Sequence, residues 1–588
     1  MSDLTPSATP TRGDRLLLGG LTAVLALCAT LSPIRNYDYW WHLKTGALIL
    51  KTGSVPTSDP FSFTAQGAPW IDHEWLFEVL LYLGHQWLGP TVLVLLKAAL
   101  CLGLTLLFAR HLEREGHGPA GKAFFLTLAL AGAAFRIDVR PELATLLLVP
   151  VAVHLAMRAR DSGRTALLVA IPILTALGIN LHVGCLLIPV MLGAGALASL
   201  FTAEGRRFAP RLAATAAAAT LATGINPSGF AVWSVPFQLR ALLAALPWPN
   251  LEWVPPTFAT VPIFFAALAV AVPILVVGMR HLDPIAAPPL VLAGVLALGH
   301  VRNVGLFCLL LPFGLARPAR ALVVMAKSRA LYHGVTRGGS IRPGFVLAAL
   351  VLVAGVPLLL TLPPKVALGL GVGSDNQPKG GVDFLEREGV GRRLYNDVRF
   401  GGYLVWRRAP ETPVFIDGRN ELYGPLMREI SGSMAGPAEW KGLLEKHAID
   451  AAFLRYPPTL QKVVWTGADG RQHSGVRAFS AAYFPASDWA LVFWDDDAMI
   501  FLRRGPDHDS VIARHEYRAL NPDDWQFLRA SILIGRLDPA PILAEIRRKL
   551  EEDPDCARAQ ALLAQFEPFE ATRSSIEPAP VGPHRGGR

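Results

Sequence analysis

The sequence predicts a mainly α fold: a polytopic membrane helix bundle of about 11 spans, with a C-terminal outer α/β domain and a short helical-hairpin tail. Three observations predict it. Hydrophobic residues make up 52% of the 588 and charged residues only 17%, with a mean hydropathy of +0.37, a balance too apolar for a soluble chain of this length. Apolar runs recur as far as Leu362, many of them about the 18–20 residues needed to cross a hydrocarbon core about 30 Å thick as a helix. Beyond Leu362 the pattern changes to short β-branched and aromatic stretches separated by turn residues.

In chain order, residues 1–14 read as a cytoplasmic N-terminal segment and 15–362 as the transmembrane bundle. The apolar runs are 15–34, 90–110, 121–137, 141–158, 165–181, 183–202, 211–226, 257–279, 284–300, 303–324 and 343–362. The weakest are 211–226, short and rich in Ala and Thr, and 303–324, interrupted by Arg317 and Pro318. Charge sets the orientation. With a cytoplasmic N-terminus, alternate loops hold Arg110, Arg114 and Lys122; Arg158, Arg160 and Arg164; Arg206, Arg207 and Arg211; and Arg280. The loop 317–342 adds Arg317, Arg320, Lys327, Arg329, Arg337 and Arg342 with no acid. This is the positive-inside pattern. It accounts for a net charge of +9 and a pI of 9.4, and with no nucleic-acid motif present it argues against a nucleic-acid partner.

Arg12 and Arg15 ahead of an apolar core would suit a signal peptide, but no A-x-A-like site follows and ten further runs do, so 15–34 reads as the first span. Cys101, Cys185 and Cys308 fall within spans and Cys556 outside, so neither a disulfide framework nor a cysteine metal site is expected.

The orientation leaves two large segments on the outer face, the loop 35–89 and everything after about residue 363. In the tail, RRLYNDV, GGYLVW, PVFIDGR, AAFLRY and ALVFWDDDAMIFLRR read as short strands, the last a hairpin around Asp495–Asp497, with a helix near 436–447. These make 363–520 an outer α/β domain. Residues 521–567 form a helical tail in which 542–566 resembles one tetratricopeptide-like hairpin, and 568–588, rich in Pro, Gly, Ser and Arg, read as a disordered tail.

Polar side chains gather at the outer ends of the spans: Asp38 and His42; Arg136, Asp138, Arg140 and Glu142; Asn180 and His182; Asn226; Glu252; and His300, Arg302 and Asn303. Charges at a helix centre cost about 2.5–3.5 kcal/mol each on insertion scales, and these avoid that depth. One account makes Arg136, Asp138, Arg140 and Glu142 a self-contained salt-bridge cluster. The other makes Arg136, Arg140 and Arg302 a site for a lipid-linked phosphate, which guanidinium binds bidentately.

The loop 35–89 carries two amphipathic helix candidates, 39–51 and 73–87, lying on the membrane, with Trp40, Trp41, Trp70, Trp75 and Trp87 suited to an interfacial position. Each carries acids at its start, Asp38 before the first and Asp72, His73 and Glu74 opening the second. Helix N-capping explains Asp38 and Asp72; it does not require His73 and Glu74.

An acid-bearing first outer loop with interfacial helices, a many-helix bundle and an outer C-terminal domain resembles the GT-C superfamily of integral-membrane glycosyltransferases, among them protein O-mannosyltransferases, aminoarabinose transferases and oligosaccharyltransferases. The chain is also similar over residues 36–425 to a group of bacterial polytopic membrane proteins sharing WWHLKTG, VPTSDPFSFT, PWIDHEWLFE, RPEL, NLH, NPSG, EWVPP, RN, FGGYLVW and VFIDGR. The superfamily resemblance implies inverting transfer of a sugar from a polyprenyl-phosphate donor to a glycan, lipid or protein acceptor of the cell envelope, at the outer face of the bacterial cytoplasmic membrane, with a first-loop carboxylate as base. That role falls on Asp38. Many members carry adjacent Asp-Glu there, whereas Tyr39 follows Asp38, so Asp72 or Glu74 stands as the second acid.

Substrate contacts are expected from Trp41, His42, His73, Arg136, Arg140, Glu142, Asn180, His182, Arg302, Asn303 and, in the outer domain, Arg419. There FGGYLVW and VFIDGRNELY read as two tight glycine turns over the acceptor side of the cavity, or simply as turn geometry with Asp417 and Arg419 paired locally. No metal ligand set is assigned; a divalent metal joining Asp38, His73 and Glu74 is left open. Two other functions stand beside transfer: a non-catalytic scaffold with an outer partner-binding domain, and a transporter, which would place its polar site near the midplane on broken, repeated helices.

Overall fold

The computed structural model describes residues 12–244, 250–328, 343–374, 377–466 and 472–574. The start of the N-terminal segment, the basic residues Arg329, Arg337 and Arg342, and the end of the tail expected to be disordered lie outside the described residues. The chain divides into two compact units, Met1–Thr57 with Pro69–Gly373, and Ser58–Ala68 with Ser374–Arg588.

The described residues of the first unit are mainly helical. Every apolar run of the sequence holds one: Arg12–Thr30, Trp75–Arg114, Pro119–Ala133, Glu142–Ser162, Ala166–Ile179, Leu187–Ser199, Ala209–Ala222, Pro262–Val277, Ala287–Gly299, Val304–Gly314 with Ala316–Ser328, and Pro343–Thr361. Their lengths differ from expectation. Among the described residues two, Trp75–Arg114 and Glu142–Ser162, are long and apolar enough to cross a membrane, and the pair Val301–Gly314 and Ala316–Met325, bent by 50°, reaches that length only when the two are counted as one span. The others are shorter because several runs end in 3₁₀ turns, Ala134–Arg136, Val183–Leu186 and Val301–Asn303, where the polar residues begin.

The bundle packs closely around buried Leu, Phe and Ala side chains from Cys101 to Ala316. Small residues set the spacing: a Cβ on Gly132 would come within 2.2 Å of Cys308 Sγ, so helices Pro119–Ala133 and Val304–Gly314 meet backbone to side chain. The expected interfacial helix 73–87 is continuous with the run 90–110 except at Gly89, whose φ of 76° and ψ of 166° break the helix one residue before Pro90. The tryptophans also differ from expectation. Trp87 is 76% exposed, but Trp40, Trp41 and Trp70 are buried against protein.

Where the basic loops read from the sequence join the helices, Arg160 and Arg317 converge on Asp283: Arg160 donates two hydrogen bonds at 3.0 and 2.7 Å, and Arg317 Nη1 lies at 2.8 Å. Arg317 Nε also donates to Glu115. Residues read from the sequence as basic loop charges thus tie neighbouring helices together.

The second unit is α/β. Its four-stranded sheet uses β1 (Leu394–Asn396), β2 (Ala451–Arg455), β5 (Trp489–Trp494) and β6 (Ala498–Arg503) in the order β1-β2-β6-β5, with β1 and β2 parallel and the other pairs antiparallel. β3 (Leu460–Thr466) and β4 (Gln472–Ala478) form a separate hairpin that the sequence reading missed. The β5–β6 hairpin and the helix Pro437–Lys446 fall where expected. FGGYLVW does not: Val398–Arg408 is a helix, N-capped by Asp397, which accepts from Arg399 N–H at 2.9 Å. Its glycine at 401 serves proximity rather than a turn, since a Cβ there would lie 2.1 Å from the Ile416 carbonyl oxygen and 2.5 Å from Asp417 Cα. Gly401→Ala should destabilise this unit by about 1–3 kcal/mol; an unchanged midpoint in denaturant would contradict that packing.

PVFIDGR is extended but is not a named strand. Val414 bridges Ser62, with Phe63 N–H donating to Val414 C=O at 3.0 Å and Val414 N–H to Phe61 C=O at 2.9 Å. A piece of the first outer loop is therefore built into the second unit. The C-terminal hairpin, Pro539–Glu552 and Ala557–Ser574, also packs into this unit: Asp496 accepts from Ala557 and Arg558 N–H, and the buried Arg558 guanidinium pairs with Asp523.

Candidate active site

Helix Tyr39–Thr52 starts directly after Asp38, yet Asp38 does not cap it; its carboxylate Oδ1 instead accepts from Trp41 Nε1 at 3.0 Å. A bond from Asp38 N–H to Asn36 Oδ1 at 3.1 Å shapes the turn. Burial pushes the Asp38 carboxyl up to about 7; the Trp41 bond and Arg140 act the other way, and Glu252 and Glu74 add to the rise. A carboxylate in that range suits proton transfer near neutrality.

On one side of Asp38 lies a histidine and carboxylate group. Trp41 stacks on His42 with ring centroids 3.7 Å apart. His42 Nδ1 meets the buried Glu78 at 2.9 Å, and its Nε2 lies 3.7 Å from Glu74. His73 Nε2 and His182 Nε2 approach the same Glu74 carboxylate at 3.5 and 3.8 Å. His182 is oriented from behind: its Nδ1 accepts from Gly184 N–H at 3.2 Å and lies 2.7 Å from Thr145 Oγ1. Burial, then the nearby Arg302, His73, Arg140 and Arg136, hold its pKa well below the usual histidine range. Among the described residues no group of three or more His, Cys, Asp or Glu side chains is arranged to hold a metal ion.

A charge network also acts on Asp38 through Arg140 and Glu252. Arg136 pairs with Glu142 and, through Nη1, with Glu252 at 2.9 Å; Arg140 donates to Glu252 at 3.0 and 3.4 Å and approaches Glu142 at 3.6 Å. Burial opposes charge on Glu252, but Arg140 and Arg136 outweigh it and hold the carboxyl well below its ordinary range. Two arginines and two glutamates thus balance. The arginines of this turn are thus ion-paired, with Glu252 in place of Asp138, whose Oδ1 accepts from Val139 N–H.

Arg302 stands apart. Its guanidinium stacks on Trp253, 4.6 Å from the ring centroid, its backbone N–H donates to Glu252 C=O, and among the described residues no carboxylate lies within 4.0 Å of it.

The remaining candidates make bonds within the protein. Asn180 accepts from Trp75 Nε1 at 2.7 Å and donates to Ala176 and Ile225 carbonyls. Asn303 donates to Leu296 C=O, and Asp72 accepts from Glu74 N–H. Arg419, expected at a substrate surface, is 1% exposed: it pairs with Asp59 at 2.7 Å and Asp417 at 2.6 Å, and Tyr423 donates to Asp417 at 2.9 Å. This correction follows from the outer-loop piece packed against 414–417. Sequence reading also assigned no role to Lys97, whose buried ammonium donates to Ser32 C=O and Oγ and reaches Ile137 C=O at 3.5 Å, tying the end of the first helix to the arginine turn. A single lysine inside an apolar run was the available signal.

The sequence matches no protein-family model and no curated protein. Solved structures do resemble it. Archaeal oligosaccharyltransferase AglB from Archaeoglobus fulgidus, in complex with an inhibitory peptide and a dolichol-phosphate, aligns over 96% of this chain and 86% of its own at 9% identity, with a TM-score of 0.50. The apo oligosaccharyltransferase of the same organism aligns over 76% and 70% at 11% identity, TM-score 0.47, and ArnT from Cupriavidus metallidurans, bound to undecaprenyl phosphate, over 84% and 100% at 13% identity, TM-score 0.43. Over most of its length the chain thus shares the fold of AglB.

Proposed function

We propose that this protein is an inverting membrane glycosyltransferase, moving a sugar from a polyprenyl-phosphate donor to a hydroxyl of a cell-envelope acceptor at the outer face of the bacterial cytoplasmic membrane. In this reading the eleven helical runs cross the bilayer with the N-terminus inside, as the basic alternate loops favour. One observation carries it: Asp38, its carboxylate held by Trp41 Nε1, shares one end of the bundle with Arg302, a cation with no carboxylate partner among the described residues. The fold shared with AglB is consistent with it.

Asp38 takes the proton of the acceptor hydroxyl as its oxygen attacks the sugar's anomeric carbon. The bond from that carbon to the phosphate oxygen breaks on the opposite face. Its electron pair passes to the lipid phosphate, whose growing charge the Arg302 guanidinium stabilises. Trp41 holds Asp38 in place, and the neutral His182 leaves the positive field near the phosphate to the arginines.

Donor binding tests this reading. The purified full-length protein should bind undecaprenyl phosphate in detergent, and Arg302→Lys, which keeps the charge and loses the planar fork, should weaken binding about five- to tenfold without unfolding. Equal affinity in a folded variant would remove Arg302 from the site.

A further inference from the structure

The arginine turn presents a puzzle for a phosphate site: both guanidinium groups are already neutralised. The two partners that neutralise them are unequal. Glu142 is 7% exposed and sits in the first turn of helix Glu142–Ser162, whereas Glu252 is 34% exposed and comes from the loop after the helix Val235–Ala244. Glu252 alone reaches both arginines with hydrogen bonds, Arg136 at 3.2 Å and Arg140 at 3.0 and 3.4 Å. Two guanidinium groups converging on the oxygens of one anion is the arrangement by which arginines hold phosphate.

We propose that Glu252 is a resident stand-in for a phosphate group, and that the Arg136–Arg140 pair is an anion site which the phosphate of the donor enters by displacing this carboxylate. The idea rests on the donor reading above and adds a second contact to Arg302. Displacement needs only a side-chain rotation. The backbone around Glu252 is fastened independently: Arg302 N–H donates to Glu252 C=O at 3.0 Å, Val301 N–H to Val254 C=O at 3.0 Å, Glu252 N–H to Asn250 Oδ1 at 3.0 Å, and His300 Nδ1 lies 2.8 Å from Trp253 C=O. Glu142 stays behind as the fixed counter-charge, so the site with Glu252 swung out carries one net positive charge, enough to draw an anion without leaving two bare arginines in a water-poor pocket. The carboxylate also keeps competing anions out until a better one arrives, at a cost in donor affinity.

The test compares the wild-type protein with Glu252→Gln, which keeps shape and removes the charge, and Glu252→Ala, which removes both. The probes are undecaprenyl phosphate in detergent micelles and inorganic diphosphate in solution. Folding is checked by thermal melting. Displacement predicts that both variants bind each probe about tenfold tighter than wild type, and that each probe raises their melting temperature more than it raises the wild type's. If the lipid phosphate binds wild type and the folded variants bind it equally or more weakly, Glu252 is a permanent lock and the inference fails while the donor reading stands. If the lipid phosphate binds none of them but diphosphate binds the variants tighter, the anion site stands and the donor reading fails. If neither probe gains affinity in either variant, or if both variants unfold and diphosphate does not restore their melting temperature, the inference is overturned.

Discussion

Asp38→Asn should lower sugar transfer by at least about two orders of magnitude while leaving expression and folding intact. The geometry motivates both halves of this expectation. The carboxylate Oδ1 bonded to Trp41 can be replaced by the amide oxygen without loss of that 3.0 Å bond, so the turn survives. The proton acceptor does not. Because burial raises Asp38 from 3.8 to about 7, the proposed base ionises through that range, and transfer should rise through about pH 7. The sign for stability is opposite. Between pH 3.8 and about 7 the folded chain keeps a proton that the unfolded chain has lost, so this group's contribution to stability is largest at low pH and falls as pH rises through that window. Asp38→Asn should abolish that slope, and be neutral or stabilising at pH 8. Asp72→Asn and Glu74→Gln belong in the same assay. Asp72 accepts a backbone bond and Glu74 is shared among three imidazoles, so their losses should be smaller. A folded, fully active Asp38→Asn enzyme would move the base to one of them.

The second large effect is on stability. Arg419→Ala should destabilise the second unit by about 3–5 kcal/mol, since it strands two buried carboxylates, Asp59 and Asp417, against each other. Unfolding can be followed through the buried Trp440 and Trp494. Asp59→Asn should recover part of the loss when combined with Arg419→Ala, because it removes one of the stranded charges. This coupling would show in solution that the outer-loop segment Ser58–Ala68 folds with the C-terminal half of the chain. A loss below about 1 kcal/mol would mean that the pair is hydrated.

Much of the helical half was legible because apolar runs and their polar ends are local features of the chain. The polar ends that hold Asp38, His42, His73, Glu74, His182 and the arginines could be read residue by residue from where each run stops. What joins them could not. Glu252 sits more than a hundred residues from Arg136 and Arg140, and nothing in a single sequence says that this acid, rather than Asp138, completes the network. FGGYLVW was misread for a different reason. Tyr, Val and Trp favour strands and paired glycines suggest turns, but packing decided the matter: Phe400, Tyr403 and Leu404 bury one helical face, with Gly401 set against the Ile416 carbonyl. The same nonlocal packing hid the role of Arg419, whose partner Asp59 lies in a loop on the far side of the whole bundle sequence. Trp40, Trp41 and Trp70 look like interfacial residues by type, and only the fold shows that protein covers them.

The measurement closest to the central claim is turnover of a radiolabelled polyprenyl-phosphate sugar by the purified full-length protein in lipid nanodiscs. The sugar is followed into water or an added hydroxyl acceptor, and the freed polyprenyl phosphate is followed in parallel. The account predicts that sugar and lipid phosphate appear in equal amounts, that the rate rises through about pH 7, and that Asp38→Asn is at least about a hundredfold slower. Donor bound by the folded wild type but left intact at every pH, or consumed equally fast by Asp38→Asn, would contradict it.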